Sequence, residues 1–349
     1  MGRSVDVVKV TPVDFAFVSA KLHGMRSKLY EGLRLEALTS LRNAFEMTAS
    51  VFPDLDVRSR TRFERHLSRE HVRDLRRVQL FLQKRNRHFF DWQLERYRIE
   101  NLKVVLRGWK SRLSPAEVVE LLVELPETYA LPVEEILGTE KLIDVIRLMP
   151  VKGFGGAVRR GAVQFHDTNR LFYIEAALDA FYFEELCRRA ATLGSADRDE
   201  VNELLSIEVL IYEVLFIMRA RLNYEAAAED VREFLVKAPH PAPALARLEG
   251  VLRGDAFEDM LSGVPQRKEL LGPGPEPSDL GELQRRMWER LYLAANRLFY
   301  RSIFHMGCVQ AFYYIKRVEL ANLIRVAELL NQELPGRDIQ HQLIRLPEQ

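Results

Sequence analysis

Ile174-Glu175-Ala176-Ala177-Leu178 runs apolar residue, acid, two variable positions, apolar residue, and the same figure occurs twice more. It stands at Phe63-Glu64-Arg65-His66-Leu67 and, with an amide for the acid, at Leu283-Gln284-Arg285-Arg286-Met287. A four-residue step puts both apolar residues on one face of a helix. Downstream of each lies a second apolar helix: Asn101-Leu102-Lys103-Val104-Val105-Leu106-Arg107, Glu213-Val214-Leu215-Phe216-Ile217-Met218-Arg219 and Asn322-Leu323-Ile324-Arg325-Val326-Ala327-Glu328. The offsets agree: Leu67 to Asn101 is 34 residues, Leu178 to Glu213 is 35, and Met287 to Asn322 is 35. From figure to figure the steps are 111 and 109 residues, so three units fill nearly the whole chain.

Working outward, the chain reads as all-α. Apolar residues recur at three- and four-residue steps, and alternating strand patterns are scarce. Ser114-Pro115-Ala116-Glu117 is a helix start, with Ser114 as cap, Pro115 at the first helical position and Glu117 completing a capping box. Leu131-Pro132-Val133-Glu134 is a second start. Breaks are expected at Lys152–Gly156, at Pro239–Pro243 and at Gly272–Ser278. The expectation is three similar helical bundles, over residues 1–137, 138–253 and 254–349.

Composition fits a soluble globular chain: 349 residues, 47% hydrophobic, 29% charged, formal net charge +1. No global field draws it to nucleic acid, so an electrostatic partner must meet a local patch. The two cysteines, Cys187 and Cys308, have no metal-type spacing and suit a reducing, cytosolic setting. Met1–Thr11 has no apolar core of a signal peptide, and Asp6 stands where myristoylation wants Ser or Thr. The most apolar stretch, Val209–Met218, is split by Glu213, far short of the roughly 20 residues that span a bilayer. The expected place is cytoplasmic.

Four segments resemble one family of V- and A-type ATPase (ATP synthase) components, the C subunit and its eukaryotic equivalent, the d subunit. Phe17–Leu29 is similar to the family's opening helix. Glu100–Arg107 is similar to its Asn-apolar-Lys-x-apolar-apolar-Arg signature, Ile174–Phe183 to its Ile-Glu-x-x-Leu-Asp-x-aromatic-aromatic segment, and Tyr313–Arg325 to its Lys-x-x-Glu-x-x-Asn-apolar-x-Arg helix. The likeness runs from about residue 14 to 345. It departs at Ile211 to Glu213, where the family often places Asn, and at Leu137-Gly138-Thr139-Glu140, which lacks the aromatic after Thr. The resemblance implies three homologous helical domains arranged as a funnel, one copy per complex. The funnel sits peripherally on the membrane proteolipid ring and receives the central shaft subunits (D/F type) in its mouth. The resemblance further implies that it transmits torque for ATP-coupled proton or sodium transport and catalyses nothing.

No motif points to an enzyme, a cofactor or a metal. Lys152-Gly153-Phe154-Gly155-Gly156 lacks the Gly-Lys-Ser/Thr ending of a phosphate loop and reads as a flexible turn. His66 and His71 are five residues apart, which splays the rings about 140° around a helix, and His71 falls on the apolar stripe. His166-Asp167 and His305 have no nucleophile at recognisable spacing. The aromatics Phe181–Phe183 and Phe312–Tyr314 lie in apolar patterns without interleaved basic residues, which points to core packing rather than base stacking.

Residues 58–87 are the informative surface. They hold eleven Arg or Lys against three acids, a local balance of +8 in a near-neutral protein. Phe63, Leu67, His71, Leu75, Val78 and Leu82 share one helical stripe. Arg58, Arg62, Arg65, Arg69, Arg73 and Arg76 gather on the opposite side. One account is a solvated face, or one paired with acids of a neighbouring domain. Another is a docking face for an acidic shaft subunit or anionic lipid around the ring. The alternative function is a stand-alone helical scaffold binding nucleic acid through this helix.

Overall fold

The computed structural model describes residues 12–53, 60–237 and 248–346, with the side chains of 12–14, 60–62 and 152 left aside. The break expected at Pro239–Pro243 lies outside the described residues. Every regular element is helical, and no strand occurs among the described residues.

Three long helix pairs organise the chain. The first is Arg60–Phe81 with Lys84–Ser111, the second Phe172–Ala190 with Ser195–Tyr224, the third Leu280–Arg301 with Met306–Asn331. The apolar figures lie in the leading helix of each pair, and Asn101, Glu213 and Asn322 lie in the following helix. Short helices connect the pairs: Pro115–Leu121, Val133–Leu137 and Leu142–Arg147 after the first, and Ala228–Arg232, Glu249–Arg253, Phe257–Ser262 and Arg267–Leu271 after the second. Ser114 accepts from the Glu117 N–H, and the Glu117 carboxylate accepts from the Ser114 N–H at 2.8 Å, the capping box the sequence announces.

Each following helix grips the chain that has just left its pair. Asn101 Nδ2 donates to the Val123 carbonyl at 2.8 Å, and its Oδ1 accepts from the Val123 N–H at 2.8 Å. Asn322 makes the same two bonds to Ile344, at 2.8 and 2.9 Å. Glu213 makes one: Oε1 accepts from the Val236 N–H at 3.2 Å. All three side chains are buried.

The pairs share one apolar core, built from Leu102, Val105 and Leu106, from Leu178, Val209 and Val214, and from Leu291, Leu298 and Val309. Burial of such side chains supplies the dominant stabilisation, about 1.5–3 kcal/mol each. A second cluster seats the helices Leu33–Thr39 and Ala44–Val51 against Val326, Ala327 and Leu330 near the end of the third pair. Leu67 and Phe63 belong to this second cluster. The inter-helix turns lie together at one end. There Arg189 donates to the His88 carbonyl at 2.9 Å, the Met306 N–H donates to Asp197 at 2.9 Å, and Ser302 bonds Glu200.

One expected break takes another form, and one is as expected. Lys152–Gly156 is not a flexible turn but the first turn and a half of the helix Lys152–Thr168. Its glycines admit close packing on the helix Phe172–Ala190: a Cβ on Gly153 would collide with the Phe181 ring, and one on Gly161 would come within 2.5 Å of the Tyr173 carbonyl. Helix-on-helix approach outweighs the roughly 1 kcal/mol that each glycine costs a helix. Gly272–Ser278 is indeed a non-helical connection, yet it is strapped down. The buried Arg286 guanidinium donates to the carbonyls of Leu271, Gly272, Pro273 and Pro275.

Candidate partner-binding cavity and basic face

Away from the turn end, the three pairs enclose a cavity of about 530 Å³. Helical spacing sets its walls. Arg96, Glu100, Lys103 and Arg107 form one stripe of the first pair, at steps of four, three and four. Phe172, Glu175, Asp179 and Phe183 face them from the second pair, with Glu208, Tyr212, Leu215, Phe216 and Arg219 beside. Gln284, Trp288, Arg317 and Ala321 complete the ring from the third pair, and Ile344 joins them under the Asn322 clasp.

Its inner end is an ionic cluster. Glu208 is 2% exposed, and its carboxylate holds Arg317 and lies 3.8 Å from Arg96. Tyr314 donates to Glu208 Oε2 at 2.6 Å. Arg317 also stacks on Trp288, 4.7 Å from the ring centroid, and Arg96 on Tyr182 at 5.4 Å. Thus one buried carboxylate from the second pair joins arginines from the first and third.

Farther out, Lys103 Nζ meets Asp179 at 2.5 Å and Glu100 at 3.3 Å. Burial works against the Lys103 charge, but the two carboxylates outweigh it and its pKa is raised. Arg107 grips Glu175 with two bonds of 2.7 Å. Arg107 and Arg219 stand at the rim, Arg219 bonded only to the neutral Gln284 among the described residues. From Arg96 to Arg107 the stripe climbs about 16 Å at 1.5 Å per residue. The result is a largely self-paired charged socket with aromatic walls.

The basic face is partly as expected. Phe63, Leu67, His71, Leu75, Val78 and Leu82 are all buried. The His71 ring packs beside Tyr97, with Nε2 2.5 Å from the Tyr97 hydroxyl. Burial, then the Lys316 and Arg317 charges, push its pKa well down, so it is a neutral core histidine. On the other side, Arg69 and Arg73 are exposed while Arg65 and Arg76 are half-buried. Arg69 reaches Glu124 at 3.5 Å and the His66 ring at 2.9 Å; Arg73 pairs with Glu70, and Arg77 with Asp74 at 3.2 Å. Arg62 is helical, its side chain not described, and Arg58 lies outside the described residues.

No group of three or more His, Cys, Asp or Glu that could hold a metal occurs among the described residues. Burial pushes the Cys187 and Cys308 thiols up, to about 12 and about 11, which keeps both protonated. No described helix is long and apolar enough to cross a membrane. What sequence reasoning missed is the socket itself. Its charges read as ordinary helix surface until three separate pairs bring them together.

The fold is all-helical, with a charged socket lined by its three long helix pairs. The chain belongs to the ATP synthase (C/AC39) subunit family, whose model matches residues 18–342. It is similar to the C subunit of the A-type ATP synthase of Methanothermobacter thermautotrophicus, 25% identical over 251 residues, covering 68% of this chain and 63% of that protein. It is also similar to the C subunit of the A-type ATP synthase of Methanosphaera stadtmanae, 20% identical over 271 residues, covering 73% and 67%. That of Methanocaldococcus jannaschii is 19% identical over 258 residues, covering 72% and 64%. The chain thus spans a little under two thirds of the first relative's length.

Proposed function

We propose that this chain is the non-catalytic central-stalk subunit of a rotary V/A-type ATPase. It links the rotor shaft to the membrane proteolipid ring and transmits torque for ATP-coupled proton or sodium transport. One copy serves each complex, held on the cytoplasmic face through its partners. The observation that carries this reading is the socket, to which all three helix pairs contribute and which the Glu208 cluster closes at its inner end.

In this reading the three pairs belong to three domains, 1–137, 138–253 and 254–349, arranged as a funnel. The shaft end enters past Arg107, Arg219 and Tyr224. The ring lies at the turn end, where Phe17, Leu80, Ile303 and Phe304 are exposed apolar groups. A main core to which all three pairs contribute and a charge network crossing them suit a body that carries torque without internal slip. The arginines Arg58, Arg62, Arg65, Arg69, Arg73 and Arg76 form a second docking face.

Site-specific photo-crosslinking in the assembled complex tests this. A crosslinker at Tyr224 should capture a shaft subunit, and one at Ile303 the proteolipid. Capture of the proteolipid from position 224, or of neither partner from either position, would sink the assignment.

A further inference from the structure

Glu213 stands in the second helix pair where Asn101 and Asn322 stand in the first and third, counted from the apolar figures upstream. It does half of what they do. Each asparagine accepts from a backbone N–H and donates to the carbonyl of the same residue. Glu213 Oε1 accepts from the Val236 N–H, whereas Oε2 is buried with no hydrogen-bond partner. A carboxylate has no proton to give; a carboxylic acid has one.

We infer that Glu213 is a proton-operated clasp. Protonated, its hydroxyl completes the second bond to the Val236 backbone, as the asparagine amides do at Val123 and Ile344. Ionised, it holds the segment 226–237 by one bond and leaves a buried charge behind.

The surroundings favour the proton. Among the described residues Glu213 has no ion-pair partner, and burial pushes its carboxyl up to about 7 against the pull of the Val236 N–H. The nearby cation, Arg160 of the helix Lys152–Thr168, is taken by Glu184 at 3.0 Å and by the Glu233 carbonyl. Lys237 is taken by Glu233 at 3.1 Å, and Arg232 by Glu249 at 2.7 Å. The helix Phe172–Ala190 presents Glu184 and Cys187 to this region, and Tyr212 flanks Glu213 on its own helix. The helices Glu249–Arg253 and Phe257–Ser262 pack with Val251, Leu252, Met260 and Leu261. From the third pair, Gln284, Arg301 and Arg317 engage Arg219, Glu203 and Glu208 of the same helix.

The sign follows from linkage. Between the ordinary carboxyl value of 4.5 and about 7, the folded chain keeps a proton on Glu213 that the unfolded chain releases. Its contribution to stability therefore falls as pH rises through that window and is flat above it. His71 acts oppositely, since its pKa is lowered from 6.5, so the Glu213 effect is read against a Glu213→Gln variant. Glutamine makes both bonds at every pH.

The test is hydrogen exchange of 226–237 in the full chain at about pH 5.5 and about pH 8, corrected for intrinsic rates. Wild-type protection should be about tenfold or more weaker at the higher pH, and Glu213→Gln should show no such loss. An equal loss in both proteins, or none in the wild type, would overturn the inference. A ¹³C titration of the wild-type Glu213 carboxyl is independent of whether the variant folds. A midpoint above about 6 supports the clasp, and one at the ordinary carboxyl value of 4.5 overturns it.

Discussion

Tyr314 donates its hydroxyl to Glu208 at 2.6 Å, joining the third helix pair to the second at the inner end of the socket. The same carboxylate carries Arg317 and lies against Arg96, so three groups depend on one buried charge. Removing one partner of a buried charge cluster costs about 3–5 kcal/mol, because the remaining charges are left uncompensated. Glu208→Ala should therefore lower the unfolding free energy by about that amount in urea titrations. Glu208→Gln should sit between, since it keeps the shape and loses the charge. A loss under about 1 kcal/mol for Glu208→Ala would show that Arg96 and Arg317 find solvent or other partners.

The asparagine clasps make a second prediction. Asn101→Ala and Asn322→Ala each delete two hydrogen bonds to a single residue of the connecting chain. At about 1 kcal/mol per bond, with more for a stranded backbone group, each should cost about 2–3 kcal/mol. Asn101→Asp should recover little, since it keeps the acceptor and loses the donor. Denaturant midpoints check both, and equal stability of Asn101→Asp and wild type would mean that the Val123 carbonyl does not need the amide.

Gly161→Ala reads the packing of the helix Lys152–Thr168. An added Cβ would lie 2.5 Å from the Tyr173 carbonyl and 2.6 Å from the Ile174 Cα, both backbone atoms. Alanine gains about 1 kcal/mol in helix propensity, while forced displacement of a packed backbone costs about 1–3 kcal/mol. The variant should melt lower. Gly156→Ala, with nothing within 4 Å, should melt equal or higher. A reversed order would refute close packing at Gly161.

These residues also show what a single sequence can carry. The apolar figures and their offsets locate three helix pairs because helical spacing is local chemistry. The same counting pairs Asn101 with Asn322, and both clasp a residue 22 positions on. The glycine run at 153–156 reads as a turn because low helix propensity is written in the sequence, while the Phe181 ring that makes Gly153 necessary lies on another helix. Arg286 counts only as a variable position, yet it straps the 271–275 segment through carbonyls that no side-chain pattern reveals. The socket is hidden for the same reason. Lys103 and Glu208 are charged residues of the sort expected on a surface, and their burial exists only once three pairs meet.

The arginine face of Arg60–Phe81 should support assembly without supporting the fold. Arg69 and Arg73 are exposed, and their ion pairs reach Glu124, on the connection after the first pair, and Glu70, on the same helix. Exposed pairs of this kind contribute about 0–1 kcal/mol and weaken with salt. The stripe that holds the helix, from Phe63 to Leu82, lies opposite. Arg65→Glu with Arg69→Glu and Arg73→Glu should therefore melt within about 1 kcal/mol of wild type, since lost pairs are offset by relief of like-charge repulsion. At an interface the same charges steer encounter, so the triple variant should bind shaft or ring more weakly, most visibly at low salt. Unchanged assembly would return the face to solvent. A large fall in melting temperature would show that the Glu124 contact anchors the connection to the first pair. Steep salt-sensitive binding to any nucleic acid offered, lost in the triple variant, would instead favour the scaffold alternative.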